Sequence, residues 1–372
     1  MSGFDTYLRS FGEDVGYLNF ASYGPPSHEV AATAETLMAT AVRGAVGASD
    51  RMHAEDLRAR AAFARLSGFA FDAVSLIPHT SLGLFQVAFG IDRGTVLIGR
   101  SEFPANLYPW LRAAEIGLSR ARLIGAVGQN ITPSAIAEAL AETPDVTAVT
   151  VSAVDFRSGF RADLAGIREA IGPDRLLIVD AIQGFGIVEM PWSLADALVV
   201  GGQKWLRAGW GAGALAFSGA GLERIRPVLG GWTGVLEPSR YDGAEHPVRP
   251  DALRFGISNL SPFATGSFAT ALELVEAATV SAIEARIADG VDALLDALDD
   301  AGLPAVSPRE RSRRAGIVAL ALPGRAPAAH RALAERGITT TLHGDDRIRL
   351  AVHATTEATV FETVAETLGE YV

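Results

Sequence analysis

The sequence predicts an α/β fold: a three-layer α/β/α arrangement around a mostly parallel sheet, followed by a smaller α+β C-terminal domain. Two observations predict it. Short runs of β-branched and other apolar residues alternate with longer segments of helical periodicity, which is typical of strands joined by crossover helices. In the run from Leu176 to Val179 the apolar residues are continuous rather than alternating, as expected for a strand that is buried on both faces.

The first part of the chain supplies the elements of the large sheet. The predicted strands are 74–77, 95–98, 146–151, 176–179, 197–200 and 213–217, and the predicted helices are 27–45, 55–67, 82–88, 107–114, 133–142 and 164–171. Ligands of open α/β sheets bind beyond the carboxyl ends of the strands. Asp180 follows such an end and is therefore a candidate binding residue.

The composition changes after about residue 220. Residues 237–250 are rich in turn formers, and a helical pattern then runs from about 264 to 301. Strands are predicted at 317–322 and 348–352, with a helix at 328–336 between them and a last helix at 356–368. We therefore expect a large domain over residues 20–255 and a small domain formed by residues 1–19 and 256–372.

Composition excludes several classes of function. The 372 residues include no cysteine, which excludes a disulfide framework, a thiolate metal site and a cysteine nucleophile. Lys+Arg number 32 against 43 Asp+Glu, a net charge of −11, so neither nucleic acid nor an anionic membrane is an expected partner. A small-molecule enzyme fits this composition better, and we assign no metal site.

Targeting signals are not predicted. The first twenty residues contain Asp5, Glu13 and Asp14 and lack the basic start and apolar core of a signal peptide. No later segment reaches about 18 uninterrupted apolar residues, the length that a membrane-spanning helix needs. We expect a cytoplasmic protein.

The strongest local feature is an aspartate followed, after the next strand, by a lysine. Asp180-Ala-Ile-Gln183-Gly184 ends one apolar strand, and Gly201-Gly202-Gln203-Lys204-Trp205 ends the next. Lys204 could simply extend its charged end to the surface. Together, however, the two residues are what pyridoxal phosphate requires: a lysine that binds the cofactor covalently, and a carboxylate that keeps the pyridine nitrogen protonated.

With these motifs the sequence resembles the class V aminotransferase family of fold-type I pyridoxal-phosphate enzymes, which includes cysteine desulfurases, kynureninases and isopenicillin N epimerase-like proteins. The resemblance extends from Tyr17-Leu-Asn-Phe-Ala-Ser-Tyr-Gly24-Pro to Arg347-Ile-Arg349-Leu-Ala-Val-His353. It implies an aminotransferase or lyase that acts on an amino acid. Two alternatives remain open: an amino-acid epimerase of the same fold, and an inactive scaffold with a binding role.

The resemblance also assigns roles around the lysine. Lys204 would be the catalytic residue, holding pyridoxal 5'-phosphate and then moving the proton of the substrate Cα. Asp180 would pair with the pyridine nitrogen, and Gln183 would contact the phenolic oxygen. Gln203 stands where many members have histidine, and its amide can still donate a hydrogen bond to the phosphate.

Two further segments match cofactor-binding positions of the family. Thr80 and Ser81 correspond to its phosphate-binding turn at a helix start, where free backbone N–H groups form an anion site; the alternative is a plain N-cap. Phe103 would stack on the cofactor ring, at the position where desulfurases have a histidine that does so; the alternative is an ordinary core aromatic. Phe103 and the lack of cysteine together argue against the persulfide-forming branch.

The remaining assignments concern the substrate and the second subunit. Arg349 matches the arginine that binds the substrate α-carboxylate as a bidentate fork, although Arg347 lies two residues away on the same strand face. The resemblance implies a homodimer with shared active sites. Trp232 and Asn259 would reach across the subunit boundary, Trp232 towards the substrate and Asn259 towards the cofactor.

Overall fold

A seven-stranded sheet is the centre of the structure, a computed structural model that describes residues 2–371. Its strands are β1 (Val74–Ile77), β2 (Thr95–Gly99), β3 (Arg120–Ile124), β4 (Val146–Ser152), β5 (Leu176–Asp180), β6 (Ala197–Gly201) and β7 (Gly213–Phe217), in the spatial order β1-β7-β6-β5-β4-β2-β3. Strands β2 to β6 pair in parallel, and β7 pairs antiparallel with both β6 and β1. The predicted mostly parallel sheet is confirmed.

Helices cover the sheet and build the rest of the chain. They are α1 (Gly3–Arg9), α2 (His28–Arg43), α3 (Ala48–Ser67), α4 (Thr80–Gly90), α5 (Tyr108–Glu115), α6 (Pro133–Glu142), α7 (Leu164–Ile171), α8 (Gly219–Arg224), α9 (Pro262–Ala278), α10 (Val280–Asp300), α11 (Ala326–Glu335) and α12 (Thr359–Gly369). Helices α4 and α5 pack on one face of the sheet, and α3, α6, α7 and α9 contribute to the core on the other.

Strand β5 shows why the apolar run is continuous. Leu177 and Val179 belong to the core on the α3 side, whereas Leu176 and Ile178 belong to the core on the α4 side. Successive side chains of a strand point to opposite faces, so a strand covered on both faces needs an apolar residue at every position. Asp180 is the first charged residue beyond this run and ends the strand.

The C-terminal part forms a second, three-stranded antiparallel sheet of β8 (Ile317–Ala321), β9 (Thr341–His343) and β10 (Arg347–Ala351), in the order β8-β10-β9. The N-terminal segment joins this sheet, because Asn19 bridges to Ala351. The predicted division at residue 255 remains a prediction. Helix α9, which follows it, packs against α2 and α3.

The long helical pattern at 264–301 is two helices rather than one. Thr279 has φ +66° and separates α9 from α10, and its hydroxyl caps α10 by accepting a hydrogen bond from the N–H of Ala282. Among residues 2–371 no single helix has the length and apolarity of a membrane span. The pair α9 and α10 has them only in combination, with a bend of 80°.

Candidate active site

Lys204 lies just beyond the carboxyl end of β6, where the chain turns back towards β7. Its amine is 5.2 Å from the centre of the Phe103 ring. Burial lowers the pKa of Lys204 to about 8, and the nearby charges of Asp180 and Arg349 act in opposite directions, Asp180 raising it and Arg349 lowering it. An amine that loses its proton near neutral pH can act as a nucleophile.

The amino-acid composition gives an argument for the role of Lys204 that is independent of motif spacing. Lys204 is the only lysine in the 372 residues, and every other residue in the Lys+Arg count of 32 is arginine. The chain therefore uses arginine for its surface cations. A lysine that merely extends to the surface would be unusual here, whereas a primary amine with chemistry to perform cannot be replaced by a guanidinium.

Asp180 ends the neighbouring strand and is 3% exposed. Its Oδ1 accepts a hydrogen bond of 3.1 Å from the N–H of Ile182. Burial raises the pKa of Asp180 to about 6, against the lowering effects of that hydrogen bond and of Lys204. A buried carboxylate gains most from a cationic partner, such as a protonated pyridine nitrogen.

The start of α4 forms an anion cradle with the loop after β6. The Thr80 hydroxyl is buried and lacks a hydrogen-bond partner within residues 2–371. A Cβ placed on Gly201 would be 2.5 Å from that hydroxyl and 2.7 Å from Oε1 of Gln203, so the absence of a side chain at Gly201 keeps this space open. Ser81, the next residue of the helix, is partly buried.

His79, rather than either hydroxyl residue, caps this helix. Its Nδ1 accepts a hydrogen bond of 3.1 Å from the N–H of Leu82. The alternative in which Thr80 and Ser81 serve as an N-cap is therefore not the arrangement found. Both residues remain free for the anion that a helix N-terminus attracts.

Apolar side chains lie close to Lys204 and to the end of β6. The Phe103 ring is 39% exposed and makes an edge contact of 5.1 Å with Phe156. Cδ1 of Ile182 lies 3.1 Å from the position of a Cβ on Gly201. Ile182 is a residue that sequence reasoning missed, although it stands between Asp180 and Gln183 in the matched motif.

Gln183 is buried and already has partners within the chain. Its Oε1 accepts a hydrogen bond of 2.7 Å from Trp205 Nε1, and its Nε2 donates one of 2.9 Å to the carbonyl of Ala21. An amide nitrogen carries two hydrogens. One N–H of Gln183 is thus still available for the expected contact with a cofactor oxygen.

Arg349 is 5% exposed and is held by three donated hydrogen bonds. They go to the carbonyl of Phe156 at 2.9 Å, to Ser22 Oγ at 2.7 Å and to Thr341 Oγ1 at 3.1 Å. Its Nε is buried without a partner in the described chain. Arg347, the open alternative, is less buried and lies at the start of β10.

The N-terminal segment holds the lysine loop from the other side. The N–H of Gly24 donates to the Gln203 carbonyl at 2.9 Å, and a Cβ at Gly24 would be 2.1 Å from the Lys204 carbonyl. Only glycine permits this approach. Ser22, two residues earlier, bonds Arg349, so one short segment contacts both the lysine loop and the arginine.

Asn259 and Trp232 lie outside this cluster. Asn259 lines a separate cavity of about 280 Å³ with Asp56, Arg60 and Thr233, next to the edge strand β1. Trp232 lies in the turn that contains Thr233 and is 48% exposed. Their predicted roles across a subunit boundary remain predictions.

The residues of the cluster fit pyridoxal phosphate. The unpartnered Thr80 hydroxyl and the open space at Gly201 suit its phosphate, Asp180 suits its ring nitrogen, and Lys204 supplies the amine that it binds.

Comparisons with known proteins identify relatives of similar sequence. A kynureninase from Deinococcus radiodurans is 28% identical over 242 residues, which are 62% of this chain and 56% of the relative. A probable cysteine desulfurase from Aeropyrum pernix is 30% identical over 177 residues, 45% of this chain and 43% of the relative. The matches thus span about half the length of these relatives.

The fold is also found among solved structures. The apo structure of a cysteine desulfurase from Thermococcus onnurineus superimposes with a TM-score of 0.85 at 19% identity, over 95% of this chain and 94% of that chain. The sequence profile of the Aminotransferase class-V family matches residues 28–355. The chain therefore belongs to the class V aminotransferase family.

Proposed function

We propose that this chain is a pyridoxal-phosphate-dependent enzyme that acts on an amino acid, as an aminotransferase or a lyase. The observation that carries the proposal is the position of the only lysine. Lys204 lies beneath the Phe103 ring, close enough to Asp180 and Arg349 for both charges to act on its pKa. Family membership and the kynureninase and desulfurase relatives support the same chemistry.

Each residue of the cluster has a defined task in such a reaction. When bound, pyridoxal phosphate supplies a ring that accepts electrons from the substrate Cα. Lys204 holds the cofactor and afterwards carries a proton to or from that carbon. Asp180 keeps the proton on the ring nitrogen, while Arg349 binds the α-carboxylate and orients the bond that will break.

The absence of cysteine narrows the choice within the family. A route that stores sulfur as a persulfide on an enzyme thiol cannot operate in a chain that has no thiol. The epimerase and the inactive scaffold find no support in the relatives. The presence of Arg349 and Asp180 at the expected positions also argues against loss of catalysis.

The single lysine permits a direct test. Protein loaded with pyridoxal phosphate should absorb at about 420 nm, and borohydride should remove the band and fix the cofactor on the protein. A lysine-specific protease then has one cleavage site, after Lys204. In denatured protein, where Lys204 is accessible to the protease, we expect cleavage before reduction and none after it. Lys204→Ala should show neither the band nor fixation; loaded wild-type protein that stays cleavable after reduction would refute the proposal.

The reaction type requires product identification with a panel of L- and D-amino acids. Keto acid without ammonia indicates transamination, and ammonia or a cleaved side chain indicates a lyase. The panel should include aromatic side chains, because Tyr23 and Trp210 stack at 4.1 Å beside the Ser22 and Gly24 contacts. A racemised amino acid as the main product would favour the epimerase instead.

We further propose a homodimer in which each subunit completes the partner's site. The support is the position of Asn259 in a cavity away from its own lysine, beside Thr233, whose buried hydroxyl lacks a partner in the described chain. Sedimentation velocity should give a dimer of the 39.0 kDa chain. A fully active monomer would refute the dimer and leave the chemistry intact.

A further inference from the structure

A second acidic side chain, Glu102, lies near Asp180 and has no role in the reaction described above. It follows the end of β2 and immediately precedes Phe103. Its Oε1 accepts a hydrogen bond of 2.9 Å from the N–H of Ser152, and its Oε2 is bonded by the hydroxyl of the same serine. Both carboxylate oxygens of Glu102 thus accept hydrogen bonds from Ser152.

Ser152 connects Glu102 to the candidate site. It ends β4 and stands in register opposite Asp180, the last residue of β5. The carboxyl group of Glu102 therefore joins the segment that carries the Phe103 ring to the strand next to Asp180. Phe103 makes no strand pairing of its own, and the short turn Pro104–Asn106 follows it.

We propose that Glu102 is a positioning residue of the cofactor site: its carboxyl group fixes the Phe103 segment to the end of β4 and places a second acid near Asp180. The inference rests on the proposed function, since it concerns the ring that Phe103 covers and the nitrogen that Asp180 faces. It extends that function by assigning two effects to one side chain, one steric and one electrostatic.

The electrostatic effect follows from the surroundings of Glu102. Burial raises its pKa to about 7; the Ser152 bonds and the Asn106 side chain oppose the shift, and the charge of Asp180 adds to it. Asp180 in turn interacts with the charge of the Lys204 amine. On the cleft side Glu102 faces the ion pair of Asp155 with Arg157.

These neighbours predict how the site changes with pH. Below about pH 7 Glu102 is neutral, and Asp180 is the acid nearest the ring nitrogen. Above about pH 7, a second negative charge lies near Asp180 and further favours a proton on that nitrogen. Because such coupling is reciprocal, a change of charge on the bound ring shifts the titration of Glu102 as well.

The test is a pH titration of the bound cofactor's absorbance in wild type, Glu102→Gln and Glu102→Ala. Glu142→Gln, on the exposed end of α6, is the matched control. We expect the wild-type spectrum to change between about pH 6 and 8, and Glu102→Gln to lose that change or move it by about one unit. Glu102→Ala, which also loses the link to Ser152, should bind pyridoxal phosphate about tenfold more weakly.

A readout without cofactor accompanies this titration. The infrared difference between wild-type and Glu102→Gln apo protein should contain the band of a protonated carboxyl group that disappears as pH rises through about 7. Glu102→Gln keeps the shape of the side chain, so its folding can be verified by circular dichroism even if Glu102→Ala unfolds.

The outcomes separate the two proposals. If wild type binds pyridoxal phosphate and Glu102→Gln titrates as wild type does, this inference is wrong and the proposed function stands. If the wild-type protein binds no pyridoxal phosphate, the proposed function is wrong and this inference falls with it.

Discussion

The buried Asp180 carboxylate destabilises the folded apo protein at neutral pH, because the residue is 3% exposed and its pKa is raised from 3.8 to about 6. A raised pKa stabilises the folded state below about pH 4, and that contribution is lost as the pH rises through 6. A cationic partner such as a protonated pyridine nitrogen would account for a carboxylate in this position. We expect Asp180 to lower the stability of the apo protein and to increase the affinity for the cofactor.

Asp180→Asn should therefore stabilise the apo protein at pH 7.5 more than at pH 4.5, by about 1–3 kcal/mol in the free energy of unfolding. The neutral amide avoids the desolvation free energy of a buried charge. Urea denaturation at both pH values measures the difference, with the exposed Asp174→Asn as control. The same variant should bind pyridoxal phosphate more weakly; equal stability gains at both pH values would contradict the assignment of the charge.

The buried hydroxyl of Thr80 should also affect the stability of the apo protein and the affinity for the cofactor. This hydroxyl has no partner in residues 2–371, which costs about 1–3 kcal/mol in an empty protein. Thr80→Val should raise the stability of the apo protein by about 1 kcal/mol and weaken pyridoxal phosphate binding about tenfold. Thr36→Val, on the exposed face of α2, is the matched control. Unchanged affinity for the cofactor would show that Thr80 does not contact the phosphate.

Some site residues could be predicted from sequence and others could not. Asp180 and Lys204 follow apolar strands, so their placement at one sheet edge depends on local pattern alone. Ser22 and Thr341 accept hydrogen bonds from Arg349. Ser22 is separated from both of the other residues by hundreds of positions in the chain. Pairings of that kind depend on the tertiary fold, which periodicity does not report.

At the scale of elements, Arg207 fastens the N-terminal segment to the lysine loop. Its guanidinium is 1% exposed, pairs with Glu13, and donates to the Pro25 carbonyl at 2.6 Å and to Thr355 Oγ1 at 3.0 Å. It also lies 3.6 Å over the Phe11 ring. Three segments that are distant in sequence thus meet at one side chain, three positions after Lys204.

Removing the Arg207 guanidinium should strongly destabilise the folded protein. Arg207→Met keeps the aliphatic stem but leaves Glu13 buried without its cation, and we expect a loss of about 3–5 kcal/mol in the free energy of unfolding. Arg226→Met, which removes an exposed pair with Asp92, should cost less than about 1 kcal/mol. Urea denaturation compares the two variants. Similar losses for both would show that the Arg207 network does not hold these elements together.

Element boundaries show where periodicity succeeds and fails. The six strands predicted for the large sheet are present, since each is an apolar run within a covered sheet. Strand β3, Arg120–Ile124, was not predicted, because its two arginines break the apolar run at the exposed edge of the sheet. The break at Thr279 was also missed: helical periodicity continues through it, and only the backbone conformation separates α9 from α10.

At the scale of the whole molecule, the separation of Asn259 from Lys204 is the main unexplained feature of a single subunit. Asp180, Thr80 and Gln203, which are also predicted to bind the cofactor, lie around the ends of β5 and β6. Asn259 instead lines the cavity near β1 with Asp56, whose pKa is raised by burial. A twofold arrangement would let such a cavity face the partner's cofactor while the partner's cavity faces this one.

Mixed dimers can test that arrangement. Lys204→Ala and Asn259→Ala subunits, each impaired alone, should regain activity when they are dissociated and reassembled together, because one of the two sites in a mixed dimer then has both residues. Random 1:1 assembly should restore about a quarter of wild-type turnover of the best substrate from the amino-acid panel. Lys204→Ala mixed with Asp180→Asn is the control: both residues belong to one subunit's cluster, so no mixed dimer contains an intact site. Recovery in neither mixture would show that Asn259 does not act across the subunit boundary.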